Sequence, residues 1–146
     1  MRDLNPVSFL VPGDAVGKGR MRLTTRHGIA RMHPTDRTIA YEGLIAMVGA
    51  QAMGERSLIE CPVMVEMRIV LKVPKSASKK FKAQALAGEI FPTKKPDMDN
   101  VIKAIYDGLN GVVWKDDVQV VDAFVRKRYG DVPGVHVRII PIEEAA

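Results

Sequence analysis

Between Val63 and Val73 one parity of positions is wholly apolar (Val63, Val65, Met67, Ile69, Leu71, Val73), while the other carries Glu66, Arg68 and Lys72 beside Met64 and Val70. A period of two predicts a long half-buried strand, and Pro74 ends it. Val7 to Val11 is a shorter apolar run closed by Pro12 and Gly13, which predicts a first strand. The stretch GDAVGKGRMRLTTRHG after it reads as a basic loop. Thr35 and Asp36 then start a helix in which Ile39, Gly43, Ala46, Met47 and Ala50 recur at helical spacing up to about Gly54. Ser76 or Ser78 can cap a helix through Lys79 to Ala87, stopped by Gly88. Asp97 or Asp99 opens another, reaching Asn110 and stopped by Gly111. Trp114 to Asp117 reads as a tight connection, Val118 to about Tyr129 as a strand, 130–134 as a turn, Val135 to Ile142 as the last strand, and 143–146 as a frayed end. Helices interspersed with mostly antiparallel strands predict an α+β fold, a mixed sheet packed with helices in a single domain over 1–146.

Composition narrows the functional classes. A chain of 146 residues, 47% of them apolar, can bury its own core as one domain. The net charge of +5 and pI near 9.5 suit a nucleic-acid partner. Aromatic residues make up only 5%, so a platform of stacked rings for unpaired bases has little material, and binding must lean on charge and shape. The single cysteine, Cys61, beside a strand, reads as a small buried apolar residue, and three scattered His give zinc no constellation. Any metal here should be hard and oxygen-bound. The N-terminal sequence lacks a signal-peptide pattern and no apolar run approaches the ~18 residues of a membrane span, so a cytoplasmic location without a membrane partner is expected.

Charge is unevenly placed. Between Pro96 and Asp122 stand six Asp (Asp97, Asp99, Asp107, Asp116, Asp117, Asp122) against Lys103 and Lys115, a local charge of −4 that leaves +9 on the rest. A basic surface attracts polyanions, but clustered carboxylates repel phosphate unless a divalent cation lies between them. Within the predicted helix Asp99, Lys103 and Asp107 are four residues apart and share a stripe, opposite Val101, Ile102, Ile105, Tyr106 and Leu109. Asp97 and Asp99 also fall at the positive end of that helix, which keeps carboxylates ionised. Magnesium needs one or two such ligands plus water and phosphate oxygens, and Asp116 or Asp117 can supply a third acid. Lys103 is either an i,i+4 partner or a support for the scissile phosphate. The plainer alternative makes Asp97 and Asp99 helix caps and Asp116–Asp117 a turn. In KGRMR, Lys18, Arg20 and Arg22 share one face if the segment is extended and can track a phosphate backbone, with Gly17 and Gly19 permitting close approach to a ligand; an edge strand guarded by charge is the alternative. Lys94 and Lys95, ahead of the acidic helix, are further candidate DNA contacts.

The run PDMDNVIKAIYDGLNG followed by WKDDVQVVD resembles the signature of the RusA family of Holliday-junction resolvases, small endodeoxyribonucleases of bacteria and prophages. Its most specific part is D-x-D-N-x-x-K, then D-x-L-N-G and DD-x-Q-V, and GKGRMR with HPTDRTIAYE is similar to the family's basic N-terminal region. Val16 and Gly17 stand where the family often has a proline. The resemblance implies that Asp97, Asp99 and Asp117 bind Mg²⁺, replaceable by Mn²⁺, with Asp116 as a further ligand or a shaper of the turn, Lys103 as an essential base-side cation and Asp107 in support. It also implies no organic cofactor and a homodimer that nicks opposed strands of a four-way DNA junction. A non-catalytic protein gripping branched DNA, and a phosphohydrolase for free nucleotides, are the alternatives.

Overall fold

The computed structural model describes residues 2–19, 22–26, 28–33 and 35–145. Six strands and three helices follow in the order β1 (Val7–Pro12), β2 (Arg22–Arg26), β3 (Ile29–His33), α1 (Asp36–Met53), β4 (Val63–Lys72), α2 (Lys79–Leu86), α3 (Met98–Leu109), β5 (Val120–Gly130) and β6 (Gly134–Pro141). β1, β6, β4 and β5 form one sheet in that spatial order, and β2 and β3 form a separate two-stranded ribbon. β1 pairs antiparallel with β6, β6 antiparallel with β4, and β4 parallel with β5, which gives the mixed sheet expected of this α+β chain.

The period-two pattern of β4 does what it predicts: Val63, Val65, Met67 and Ile69 are buried, while Glu66 and Arg68 are exposed on the opposite face. On the buried face lie α1 and α3, whose Ile45, Val101, Ile105 and Leu109 join the sheet residues in one core. The two helices cross closely at paired glycines. A Cβ on Gly108 would stand 2.7 Å from Ile45 Cγ2, and one on Gly49 would stand 2.9 Å from Leu109 Cδ2, so only hydrogen fits at either position. Trp114 and Cys61 are buried, the latter as expected of a small apolar residue.

Two boundaries differ from the sequence pattern. The stretch read as a basic loop contains the β2–β3 ribbon, in which Arg22 faces His33 and Arg26 faces Ile29 around Gly28 at φ +74°. Its strands are too polar to show an apolar face. The strand expected from Val118 starts at Val120 instead, because Asp117–Gln119 make one turn of 3₁₀ helix first. At its beginning the register with β4 slips by a residue, leaving Val121 out of the pairing.

Candidate active site on helix α3

Helix α3 gathers most of the acidic segment. Thr35 and Ser78 cap α1 and α2 by accepting from Thr38 N–H and Phe81 N–H, but Asp97, in the N-cap position of α3, makes no side-chain capping bond. Its exposed carboxylate is therefore available to other partners. Asp99 lies in the first turn, also exposed, and Lys103 follows one turn on. Lys103 Nζ donates to Asp107 Oδ1 at 2.9 Å. Asp107 is shared: Lys18, 89 residues earlier, donates to its other oxygen and to Glu42 Oε1 at 2.9 Å. Burial pushes the Asp107 carboxyl up, but the two ammonium groups more than offset this and hold it below its ordinary value. The bond to Asp107 raises both Lys18 and Lys103. At neutral pH all three are ionised, and Asp107 is committed to lysines rather than free for a metal.

The basic segment reaches α3 by a tight path. Lys18 N–H donates to Asn100 O at 3.0 Å, and a Cβ on Gly17 would lie 3.1 Å from Asn100 Cβ and 3.4 Å from Pro96 Cβ. Gly17 is thus needed for packing against the chain's own α3 start, where the sequence suggested approach to a ligand. Residues 15–19 are not in a strand, and Lys18 turns inward to its carboxylates. Arg20 lies outside the described residues, as does the side chain of Arg22. A cleft of about 730 Å³ opens here, lined by Lys18, Arg37, Lys95, Asp97 and Asn100 among others. Lys94 and Lys95 are exposed in the loop leading into α3.

Asp117 comes to the far end of the same helix, half-buried, close enough for its charge to favour the protonated forms of Lys103 and Tyr106. Two residues that pattern reading passed over hold it there. Asn110 Oδ1 accepts from the buried Trp114 Nε1 at 2.7 Å, and because an indole nitrogen only donates, the amide Nδ2 is left to face Asp117 Oδ2 at 3.3 Å. Gln119 Oε1 accepts from Asp116 N–H at 2.9 Å, while its Nε2 donates to Ile59 O and Cys61 O at 2.8 and 3.0 Å, tying the Asp116–Asp117 turn to the approach to β4. Both sit inside the D-x-L-N-G and DD-x-Q-V strings, where the acids alone drew attention.

Among the described residues no three carboxylate, His or Cys side chains converge as a metal cage. The donors on α3 and its following turn are nevertheless all hard carboxylate oxygens, so they fit a hard divalent cation that draws the rest of its shell from water and phosphate.

Asp97, Asp99, Lys103 and Asp117 strung along one helix and the turn after it are the arrangement the motif demands. The model of the family described as endodeoxyribonuclease RusA matches residues 12–140. This chain belongs to the RusA family. A Bacillus subtilis (strain 168) relative, the uncharacterized protein YqaN, is 38% identical over 135 residues, which cover 91% of this chain and 94% of the relative. The RusA match takes in the basic segment, α1, the acidic helix and the whole sheet except the first strand's beginning. No helix among the described residues is long and apolar enough to cross a membrane.

Proposed function

We propose that this protein is a Mg²⁺-dependent endonuclease that resolves Holliday junctions by paired nicks. What carries this reading is the α3 acidic stripe, with an uncapped Asp97, an exposed Asp99 and an Asp117 held by Asn110, in a basic chain of the RusA family. Asp97, Asp99 and Asp117 are assigned as the metal ligands, with Asp116 as a water-mediated or direct fourth. A bound divalent cation would polarise the scissile phosphate and favour attack by water. Lys103 is assigned to the phosphate, its positive charge secured by Asp107 and Asp117. Lys94, Lys95, Arg20 and Arg22 are assigned to phosphate contacts, while Lys18 holds the network beneath them. Mn²⁺ should replace Mg²⁺, since both accept six oxygen donors.

The test incubates a synthetic four-way junction and a matching linear duplex with the protein, in Mg²⁺ or chelator, and resolves the strands on a denaturing gel. Symmetric nicks confined to the junction and to Mg²⁺, lost in Asp97→Asn and Asp117→Asn while junction binding persists, are expected. Cleavage by Asp97→Asn at the wild-type rate would remove the assignment, and junction binding without nicks under any divalent metal would leave a non-catalytic branched-DNA-binding protein.

A further inference from the structure

β5 is an edge strand. It pairs with β4 on one side, and among the described residues its other side has no strand partner. Natural edges of this length are normally short, covered or broken by charge, because open N–H and C=O groups invite pairing. The C-terminal part of β5 is partly flanked: Tyr129 packs edge-on against Phe81 of α2, Arg128 lies over Phe91, and Lys127 donates to Lys94 O. Ahead of it, Val121, Asp122, Ala123 and Phe124 are exposed one after another, so both faces of the strand are open there. Phe124 is 57% exposed and Val121 59%.

The even positions of this stretch read Asp122, Phe124, Arg126, all on the sheet face away from the helices, opposite Met64, Glu66 and Arg68 of β4. Neither Asp122 nor Arg126 has an ion pair within the chain among the described residues; Arg126 lies over the Phe124 ring instead, at 5.0 Å, with the like-charged Arg68 beside it on β4. This order is self-complementary under a two-fold axis. In an antiparallel pair centred on Phe124, each residue two steps before the centre meets one two steps after it, so acid meets base twice and ring meets ring on the axis.

We infer that two copies of this chain pair antiparallel along the free edge of β5 about a two-fold axis at Phe124, setting Asp122 opposite the partner's Arg126. β5 begins directly after the Asp116–Asp117 turn, so the pairing fixes the two acidic sites relative to one another. It deepens the resolvase reading, whose paired nicks require two sites, and it rests on that reading for its use but not for its geometry.

Sedimentation equilibrium tests it on the full chain. Wild type should show a reversible monomer–dimer equilibrium. Asp122→Arg and Arg126→Asp each turn both attractive pairs into repulsive ones and should weaken the dimer on the order of tenfold or more. The double variant Asp122→Arg/Arg126→Asp, and an equimolar mixture of the two single variants, restore opposite charges and should restore the dimer. All four positions of change are exposed in the monomer, so circular dichroism should be that of wild type. A wild type that stays monomeric, single variants that dimerise as well as wild type, or a double variant that does not recover would overturn the pairing. Junction cleavage on the same preparations separates the two readings: a dimer that follows the charge swaps but never nicks supports the pairing and removes the endonuclease, and a monomer that nicks does the reverse.

Discussion

Lys18→Ala removes the cation that neutralises two carboxylates from different elements, Asp107 of α3 and Glu42 of α1. The side chains are about three-quarters buried or more, at 27% exposure for Lys18, 27% for Glu42 and 18% for Asp107. Hydrogen bonds to charged groups contribute ~1.5–3 kcal/mol when well buried, and exposed pairs only ~0.2–1 kcal/mol. Two bonds between these limits, with Lys103 still on Asp107, give a loss of about 2 kcal/mol, and a fall in Tm of roughly 4–8 °C for a chain of this length. The pH dependence has a definite sign. Because the folded Asp107 carboxyl lies below its ordinary value, its contribution is complete above about pH 4, near the unfolded pKa, and is lost as pH falls through the lower folded value. The penalty of Lys18→Ala should therefore be full at pH 7 and shrink at pH 3.5 and below, as read by urea unfolding at each pH. The salt dependence of junction binding gives an independent readout, since each phosphate neutralised on duplex DNA contributes ~0.9 to the slope of log K against log salt. A lysine committed to Asp107 and Glu42 should change that slope by much less. Unaltered stability at pH 7, a penalty undiminished in acid, or a slope lowered by a full ~0.9 would each refute this account of Lys18.

Asn110→Ala leaves the fully buried Trp114 indole N–H without its acceptor and frees Asp117, so it should cost ~1–3 kcal/mol in urea unfolding and also raise the Mg²⁺ concentration needed for half-maximal nicking. Gly108→Ala places a methyl 2.7 Å from Ile45 Cγ2 and 3.2 Å from Glu42 O, so the α1–α3 crossing must part, and a loss of ~1–3 kcal/mol in the unfolding midpoint is expected without any change in exposed charge.

Much of the architecture is legible from local pattern. The strict alternation of β4, the helix starts at Thr35 and Ser78, and the amphipathic α3 all follow from side-chain periodicity and capping, which neighbouring residues decide among themselves. The β2–β3 ribbon escaped because RLTTR and IARMH carry no continuous apolar face, so period two has nothing to mark. The 3₁₀ turn at Asp117–Gln119 escaped because its stabilising bonds run to Ile59 and Cys61, some sixty residues away.

The acidic stripe was determined by the sequence alone, since residues four apart in a helix share a face whatever surrounds them. That Asp97 spends no hydrogen bond on capping, that Lys18 turns to Asp107 and Glu42, and that Asn110 aims its amide at Asp117 under the direction of Trp114 were decided only by tertiary structure. So was the open edge of β5, because strand order depends on which distant segments pair. Periodicity is a property of a few consecutive residues, whereas a hydrogen-bond partner or a free edge exists only once the chain has closed on itself.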